Sequence, residues 1–318
     1  MTAVLAIDIG GTKMAAAMVD AEGTVSSYFR EPTPRSGNAE SLWQRLESVL
    51  AKVLADAGVT PDGVGVGCSG PMTWPEGVVA PLNIVAWRDF PLRQRLREMF
   101  PNVPVRLHND AVCVAIGEHW TGAGRGAHNV LGMVVSTGVG GGLLLGGRLI
   151  DGASGNAGHI GHVVVDPAGP DCACGGRGCI EAIASGPALV AWAQRQGWRA
   201  DAEATGVELA ADARGGEAIA LAAMHRAGTA LGIAIASAAH LCDLDTVVVG
   251  GGLSQTGALL FDPLERALRR HARMTFTRNV RVVPAQLGQR AGLVGAAALI
   301  LRAGQYWSQT EEYLEVVQ

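Results

Sequence analysis

The sequence predicts an α/β protein built as two lobes, each of which holds a glycine-rich hairpin. Short apolar segments that end in turn residues alternate with longer segments that carry apolar residues at helical spacing. The segments LAIDIGGTKMAAAMVD (5–20) and GMVVSTGVGGGLLLGG (132–147) share one plan, an apolar strand, a polar residue, a glycine-rich turn and a second apolar strand. We expect the two lobes to meet across a cleft.

The elements follow from hydrophobic periodicity and turn residues. Strands are predicted, in order, at 4–9, 14–19, 64–68, 103–107, 130–136, 140–145, 246–249 and 280–283. Helices are predicted at 41–57, 111–119, 186–196, 217–241, 259–270 and 292–301. The most apolar stretch, LGIAIASAAHL at 231–241, contains His240 and is followed by two aspartates, which predicts a buried helix rather than a membrane span.

Composition excludes several classes of protein. The chain has 318 residues, a formal net charge of −4 and no basic stripe, so nucleic acid is not an expected partner. The start, MTAVLAIDIGG, lacks the basic segment of a signal peptide, and we expect a cytoplasmic protein without a membrane partner. Cysteines stay reduced in that compartment, which favours metal binding or catalysis over disulfides.

Three of the six cysteines, Cys172, Cys174 and Cys179, lie within one glycine-rich loop, and His162 precedes them. One imidazole and three thiolates form a closed tetrahedral zinc site, and soft sulfur ligands favour zinc. Four protein ligands leave no open position, so the predicted role is structural. The alternative interpretation is a set of buried thiols without a metal.

These motifs together resemble the ROK family (repressors, open reading frames and kinases). The resemblance rests on D-I-G-G-T-K at 8–13, S-T-G-V-G-G-G at 136–142, G-H-I-G-H at 158–162 and C-x-C-G-x-x-G-C-x-E at 172–181. It implies an actin-like (RNase H-like) two-lobe fold, ATP-dependent phosphorylation of a hexose or amino sugar, a structural zinc and a homodimer. We expect an N-terminal lobe at 1–108, joined by the C-terminal helix at 292–318, and a C-terminal lobe at 109–291.

Three glycine-rich loops at strand ends are predicted to bind ATP and its Mg²⁺. Backbone amides of such loops can approach phosphates closely, and an aspartate suits a hard cation. The predicted residues are Asp8, Gly10, Gly11, Thr12, Lys13, Thr137, Gly138, Gly250, Gly251 and Gly252. Tight hairpins without a ligand are the alternative for any one loop. No G-x-G-x-x-G opens a helix after the first strand, which argues against a Rossmann fold.

Asp110 is the candidate general base. Sugar phosphorylation needs a group that takes the hydroxyl proton during attack on the γ-phosphate, and a carboxylate at a strand end suits that task. The alternative is that Asp110 is only a helix N-cap. The family resemblance favours the base, with Asn109 beside it as a sugar contact.

The resemblance implies further sugar contacts. Their residues are Ser69, Gly70, Pro71, Asn83, Asn109, His162 and Glu181, together with Asp110. The pattern departs from the family at His159, because family kinases usually carry glutamate there. A neutral imidazole offers one donor and one acceptor, so it could donate to the carbonyl of an N-acyl group. A second metal ligand and a surface histidine without a role are the alternatives for His159.

The predicted function is transfer of the γ-phosphoryl group of ATP to the 6-hydroxyl of glucose, N-acetylglucosamine or N-acetylmannosamine. One alternative is a sugar-responsive repressor, although the first strand begins at Val4 and we expect no helix-turn-helix before it. The other alternative is a non-catalytic sugar binder.

Overall fold

A computed structural model describes residues 2–34, 36–201 and 203–307 and confirms the α/β class. Its strands are β1 Ala3–Ile9, β2 Lys13–Asp20, β3 Val25–Pro32, β4 Val64–Cys68, β5 Met72–Thr73, β6 Val78–Val79, β7 Val105–Asn109, β8 Val130–Val135, β9 Val139–Leu145, β10 Arg148–Leu149, β11 Thr246–Gly250 and β12 Arg281–Pro284. Its helices are α1 Ala39–Ala57, α2 Leu92–Met99, α3 Asp110–Thr121, α4 Ile180–Ala184, α5 Gly186–Arg195, α6 Gly206–Arg214, α7 Ala218–Cys242, α8 Ala258–His271, α9 Ala291–Leu301 and α10 Ala303–Tyr306.

The chain forms two compact units. The first consists of Met1–Arg125, Gly142–Gly158 and Gln289–Gln318, and the second of Gly126–Gly141 and His159–Gly288. The first division between these units falls after residue 125. The lobe boundary at residue 108 refers to the predicted lobes and remains a prediction. Part of the C-terminal helix predicted at 292–318, namely 308–318, lies outside the described residues.

The first unit is built on a sheet in the order β3-β2-β1-β4-β7. β1 pairs antiparallel with β2 and parallel with β4, and β4 pairs parallel with β7. β1, β4 and β7 therefore end at the same edge of the sheet, which places the residues that follow them side by side. Helix α1 packs against β2 and β3, and α9 packs against β1 and β4.

Helix α9 approaches α3 closely enough to require glycine. A Cβ atom at Gly295 would lie 1.6 Å from the carbonyl oxygen of Cys113 in α3, a separation that no side chain can adopt. This contact brings the apolar C-terminal helix onto the helix that begins at Asp110.

The second sheet has the order β10-β9-β8-β11-β12, and its strands β8, β11 and β12 run parallel and belong to the second unit. The predicted buried helix corresponds to α7, which packs along α8 and also contacts α4, α5 and α6. Within the described residues α7 is the one helix whose length and hydropathy would suffice for a membrane span, and 56% of its most apolar window is buried inside the protein.

The sequence did not predict β3, α2, α4 or α6. In β3, VSSYFREP, half-buried and exposed residues alternate along an edge strand, so no apolar run marks it. Helix α2 has arginines at Arg93, Arg95 and Arg97, and its buried side is carried by Leu92 and Leu96. In both cases contacts in the folded protein stabilise an element that the apolar pattern of the sequence does not mark.

Candidate active site

Asp8 is the acidic residue of the first glycine-rich hairpin. It lies near the end of β1, its carboxylate Oδ2 is 3.8 Å from Lys13 Nζ, and the Lys13 ammonium also donates to Gln289 Oε1 at 2.7 Å. Burial raises the pKa of Asp8 to about 6, Lys13 partly offsets this rise, and the charge of Asp110 adds to it. At neutral pH the carboxylate is ionised at a desolvated position, and such a position favours a cation nearby.

Asp110 is held by a serine from the neighbouring strand end. Ser69 follows β4 and Asp110 follows β7, and these two strands pair parallel with Cys68 opposite Asn109. The Ser69 hydroxyl donates to Asp110 Oδ2 over 2.7 Å. The N-cap of α3 is Asn109, whose side chain accepts from the Ala111 amide, so Asp110 is the first helical residue rather than the cap.

Other predicted sugar contacts lie close to these residues. A Cβ on Gly11 would lie 2.7 Å from Asn83, and a Cβ on Gly70 would lie 2.7 Å from the Asn109 side-chain amide. The first unit therefore brings together Asp8, Gly11, Ser69, Gly70, Asn83, Asn109 and Asp110.

Two predicted phosphate loops belong to the second unit. The turn between β8 and β9 contains Thr137 and Gly138 and is closed by a bond from the Ser136 amide to the Gly138 carbonyl. Gly250 ends β11, and Gly251 follows it with a φ of 89°. Because β8 and β11 are parallel neighbours, both loops leave the same edge of the second sheet.

The four predicted zinc ligands converge. The candidate ligand atoms of His162, Cys172, Cys174 and Cys179 all lie within 4.8 Å of one another. Cys172 Sγ is 3.7 Å from His162 Nδ1, and Cys174 Sγ is 3.7 Å from Cys179 Sγ. Tetrahedral zinc with Zn–S near 2.3 Å sets neighbouring ligand atoms about 3.5–3.8 Å apart. The cluster therefore has the dimensions and the donor types of a zinc site.

The loop backbone explains this convergence. Cys179 immediately precedes α4 and pairs with Val164, while Asp171 pairs with Arg177. Gly178 has a φ of 71°, and a Cβ there would lie 1.7 Å from the Asp166 carbonyl oxygen, so only glycine fits. The Gly176 amide donates to Cys174 Sγ at 3.4 Å and lowers the pKa of that thiol, which favours the thiolate that a metal requires.

Two predicted sugar contacts flank this loop. The rings of His159 and His162 stack with centroids 5.0 Å apart and an angle of 21° between their planes. Glu181 Oε2 accepts from the Val139 amide at 2.9 Å, so this carboxylate joins α4 to the β8–β9 hairpin. The second unit thus connects the metal cluster, Glu181 and the loop at Gly138 through direct contacts.

No motif in the sequence points to a role for His108, Asp151 or Trp307. Their side chains meet in the first unit, where His108 Nε2 is 2.9 Å from Asp151 Oδ1 and Trp307 Nε1 donates to the same oxygen at 3.2 Å. These positions are far apart in the chain and share no motif, so no spacing in one sequence could associate them.

Comparisons with known proteins define the family. Residues 4–303 match the model of the ROK family. A glucokinase of Streptomyces coelicolor is 35% identical over 312 residues, covering 93% of this chain and 96% of that protein. An N-acetylmannosamine kinase of Shigella boydii is 37% identical over 296 residues, covering 93% and 97%.

A solved structure gives the same result. The ROK family glucokinase from Streptomyces griseus in complex with glucose and AMPPNP is 34% identical, with a TM-score of 0.81 and coverage of 93% of this chain and 98% of that one. The chain belongs to the ROK family, which confirms the resemblance found in the motifs.

Proposed function

We propose that this ATP-dependent sugar kinase phosphorylates the 6-hydroxyl of an N-acylhexosamine, with Asp110 as the general base. The observation that carries the proposal is the placement of Asp110. Its carboxylate accepts a hydrogen bond from Ser69 and lies close enough to Asp8 to raise the pKa of Asp8. One carboxylate can thus accept a proton while a second, nearby, favours a cation.

In the proposed reaction the sugar 6-oxygen attacks the γ-phosphorus, its proton passes to Asp110 and ADP leaves. The Ser69 hydroxyl donates to Oδ2 of Asp110, which gives the carboxylate a fixed orientation toward the incoming proton. Asn109 would bind a neighbouring sugar hydroxyl from the position before the base.

The phosphate-binding residues have two tasks, which are holding the nucleotide and neutralising its charge. Gly10, Gly11 and Thr12 would offer amides and a hydroxyl to phosphate oxygens, and Lys13 would add a positive charge. Asp8 would hold the Mg²⁺ that accompanies ATP, directly or through water, and the ion would neutralise phosphate charge. The loops at Thr137–Gly138 and Gly250–Gly252 would also contact the nucleotide.

His159 supports the choice of an N-acyl sugar. Family kinases usually have glutamate at this position, and a carboxylate can only accept hydrogen bonds there. The neutral imidazole adds an N–H that can donate to an acyl carbonyl oxygen. A free amino sugar is disfavoured, since its ammonium would lose an anionic partner. The similarity to an N-acetylmannosamine kinase agrees with this inference, and glucose and N-acetylglucosamine are the competing substrates.

The cysteine cluster would hold a structural zinc. His162 has Nδ1 directed to Cys172, so that nitrogen is the proposed ligand and Nε2 is left to donate to the sugar. The metal would fix the ring, and Glu181 would transmit the loop position to the β8–β9 hairpin through its bond with Val139. No reaction step passes through the metal.

The test is ADP release with MgATP on a panel of glucose, mannose, glucosamine, N-acetylglucosamine and N-acetylmannosamine. Asp110→Asn, which keeps the shape of the side chain, is the control. We expect the highest kcat/KM with an N-acetylated sugar and a loss of turnover of at least about 100-fold in Asp110→Asn. A clear preference for glucose would contradict the N-acyl assignment, and turnover that survives in Asp110→Asn would contradict the base.

The kinase names of the curated relatives favour an enzyme over a repressor, and ADP formation would exclude a non-catalytic binder. Use of phosphoryl donors other than ATP can be tested by measuring the sugar phosphate that forms with each donor. The homodimer and the cytoplasmic location remain predictions.

A further inference from the structure

His108 is a fully buried histidine directly before the Asn109–Asp110 pair. It lies at the end of β7 with no exposed surface. Its Nδ1 accepts the backbone N–H of Asn109 at 2.8 Å, and its Nε2 lies 2.9 Å from Asp151 Oδ1. Both ring nitrogens are therefore used, one toward the proposed base and one away from it.

These contacts define the protonation of the ring. A backbone amide can only donate, so Nδ1 carries the lone pair and the proton is on Nε2. The Nε2–H then donates to Asp151, whose Oδ1 also receives the indole N–H of Trp307 at 3.2 Å. One carboxylate oxygen thus fixes an imidazole and an indole.

Aromatic packing prevents the imidazole from turning. Trp74 lies against the His108 ring with centroids 5.4 Å apart, and its centroid is 6.1 Å from that of Trp307. The guanidinium of Arg106 lies 4.8 Å over the Trp307 ring. Three chain segments that are distant in sequence therefore enclose one histidine.

The Asn109 N–H that His108 holds belongs to the His108–Asn109 peptide at the end of β7, one residue before α3 begins. Asn109 has extended backbone angles, φ −61° and ψ 142°, and Asp110 is the first residue of the helix. The direction of the Asp110 side chain depends on this peptide. Small errors in the position of a catalytic group reduce rate strongly, by about 100-fold for a displacement of 1 Å.

We propose that His108, Asp151 and Trp307 form a positioning triad that holds the backbone N–H of Asn109 and so fixes the backbone that leads into Asp110 for proton transfer. This inference rests on the proposed role of Asp110 as general base. His108 acts through the Asn109 amide, so the essential feature of its side chain is the acceptor at Nδ1. Asp151 and Trp307 act by orienting that acceptor.

Two substitutions at one position separate positioning from simple packing. In His108→Asn the side-chain oxygen occupies the place of Nδ1 and can accept the Asn109 N–H, whereas the donor to Asp151 is lost. In His108→Gln the longer amide can donate to Asp151, whereas the acceptor next to Asn109 is lost. We expect kcat to fall about 10-fold or more in His108→Gln and less than about 3-fold in His108→Asn, with KM for sugar and ATP unchanged in both.

A second pair tests the other end of the triad if a His108 variant does not fold. Asp151→Asn keeps an oxygen that accepts from both His108 and Trp307, whereas Asp151→Ala removes it. Asp151 is partly exposed, with 23% of its side chain accessible, so both variants are expected to fold. We expect near-normal kcat in Asp151→Asn. In Asp151→Ala we expect kcat to fall about 10-fold with unchanged KM, because the imidazole can then carry its proton on Nδ1 and lose the acceptor, which the side-chain oxygen in His108→Asn keeps.

Asp110→Asn in the same assay separates failure of the proposed general base from failure of the positioning triad. If turnover does not depend on Asp110, the proposed general base has failed. If turnover depends on Asp110 but kcat falls equally in both His108 variants, stays normal in both, or changes only through KM, the positioning triad is overturned. Unequal kcat in the order given above supports it.

Discussion

The hydroxyl of Ser69 donates a 2.7 Å hydrogen bond to Oδ2 of Asp110, joining the ends of two parallel strands, β4 and β7. Bonds to a charged acceptor contribute about 1.5–3 kcal/mol. A serine 41 positions earlier in the chain thereby orients this carboxylate. The orientation of the proposed base depends on the register of the sheet as well as on its own backbone.

Removal of the Ser69 hydroxyl is predicted to slow the chemical step. In Ser69→Ala the carboxylate loses one donor, so we expect kcat with the preferred sugar to fall about 10-fold. Ser237→Ala is a suitable control, because that hydroxyl is exposed and donates to the Ile233 carbonyl within α7. Steady-state kinetics gives kcat for wild type and for both variants. Equal kcat in Ser69→Ala and wild type would show that this bond does not orient the base.

Asp8 is predicted to make stability depend on pH. Burial raises its pKa from the ordinary value of 3.8 to about 6 in the folded protein. The neutral form is favoured by folding, so this contribution to stability is complete below about pH 3.8 and is lost as the pH rises through about 6. A difference of this size corresponds to about 3 kcal/mol.

The substitution Asp8→Asn removes this titration. We expect Asp8→Asn to gain up to about 3 kcal/mol of unfolding free energy over wild type at pH 8 and much less near pH 4, because Asp8 in the folded protein is then neutral like asparagine. Urea unfolding without ATP or Mg²⁺ at the two pH values measures this difference. A gain of the same size at both pH values would argue against a buried, ionised Asp8 and for a packing effect.

Much of the fold was predictable because its signals are local. β4, at Val64–Cys68, was predicted at its observed bounds, since a short apolar run lies between turn residues. The convergence of the four candidate metal ligands was predictable because three of them lie within eight residues and their types suit one tetrahedral geometry. Edge strand β3 was not predictable, because its alternation is between half-buried and exposed residues.

Contacts between distant segments account for what the sequence could not predict. His108 was visible only as a neighbour of Asn109, and its partners Asp151 and Trp307 reach it through the packing of β10 and α10. The Ser69–Asp110 bond likewise depends on the pairing of β4 with β7. A single sequence carries no signal for strand order, so these relationships required coordinates.

The cysteine cluster is predicted to bind one zinc ion per chain. Cys174→Ser removes one thiolate, and we expect its zinc content to fall below about half an equivalent and its melting temperature to drop by several degrees. Cys242→Ser is the matched control, since Cys242 lies at the end of α7 outside the cluster. Elemental analysis of gel-filtered protein measures the metal. Wild type without zinc, or Cys174→Ser with a full equivalent, would contradict the assignment.

His159 is predicted to determine preference for the N-acyl group. His159→Glu replaces a group that can donate by a carboxylate that can only accept, so an acyl carbonyl would lose its donor and face a negative charge. A lost hydrogen bond of this kind changes discrimination by about 1–3 kcal/mol. We therefore expect the ratio of kcat/KM for N-acetylmannosamine over glucose to fall about 10-fold or more.

The control for this change is His225→Glu, which introduces the same charge at an exposed position on α7. Competition between the two sugars in one reaction, followed by product analysis, gives the ratio directly. If the ratio is unchanged in His159→Glu while zinc content remains normal, His159 does not contact the acyl group. If zinc is lost instead, the ring that stacks on His162 at 5.0 Å supports the metal loop, and the preference for N-acyl sugars needs another donor.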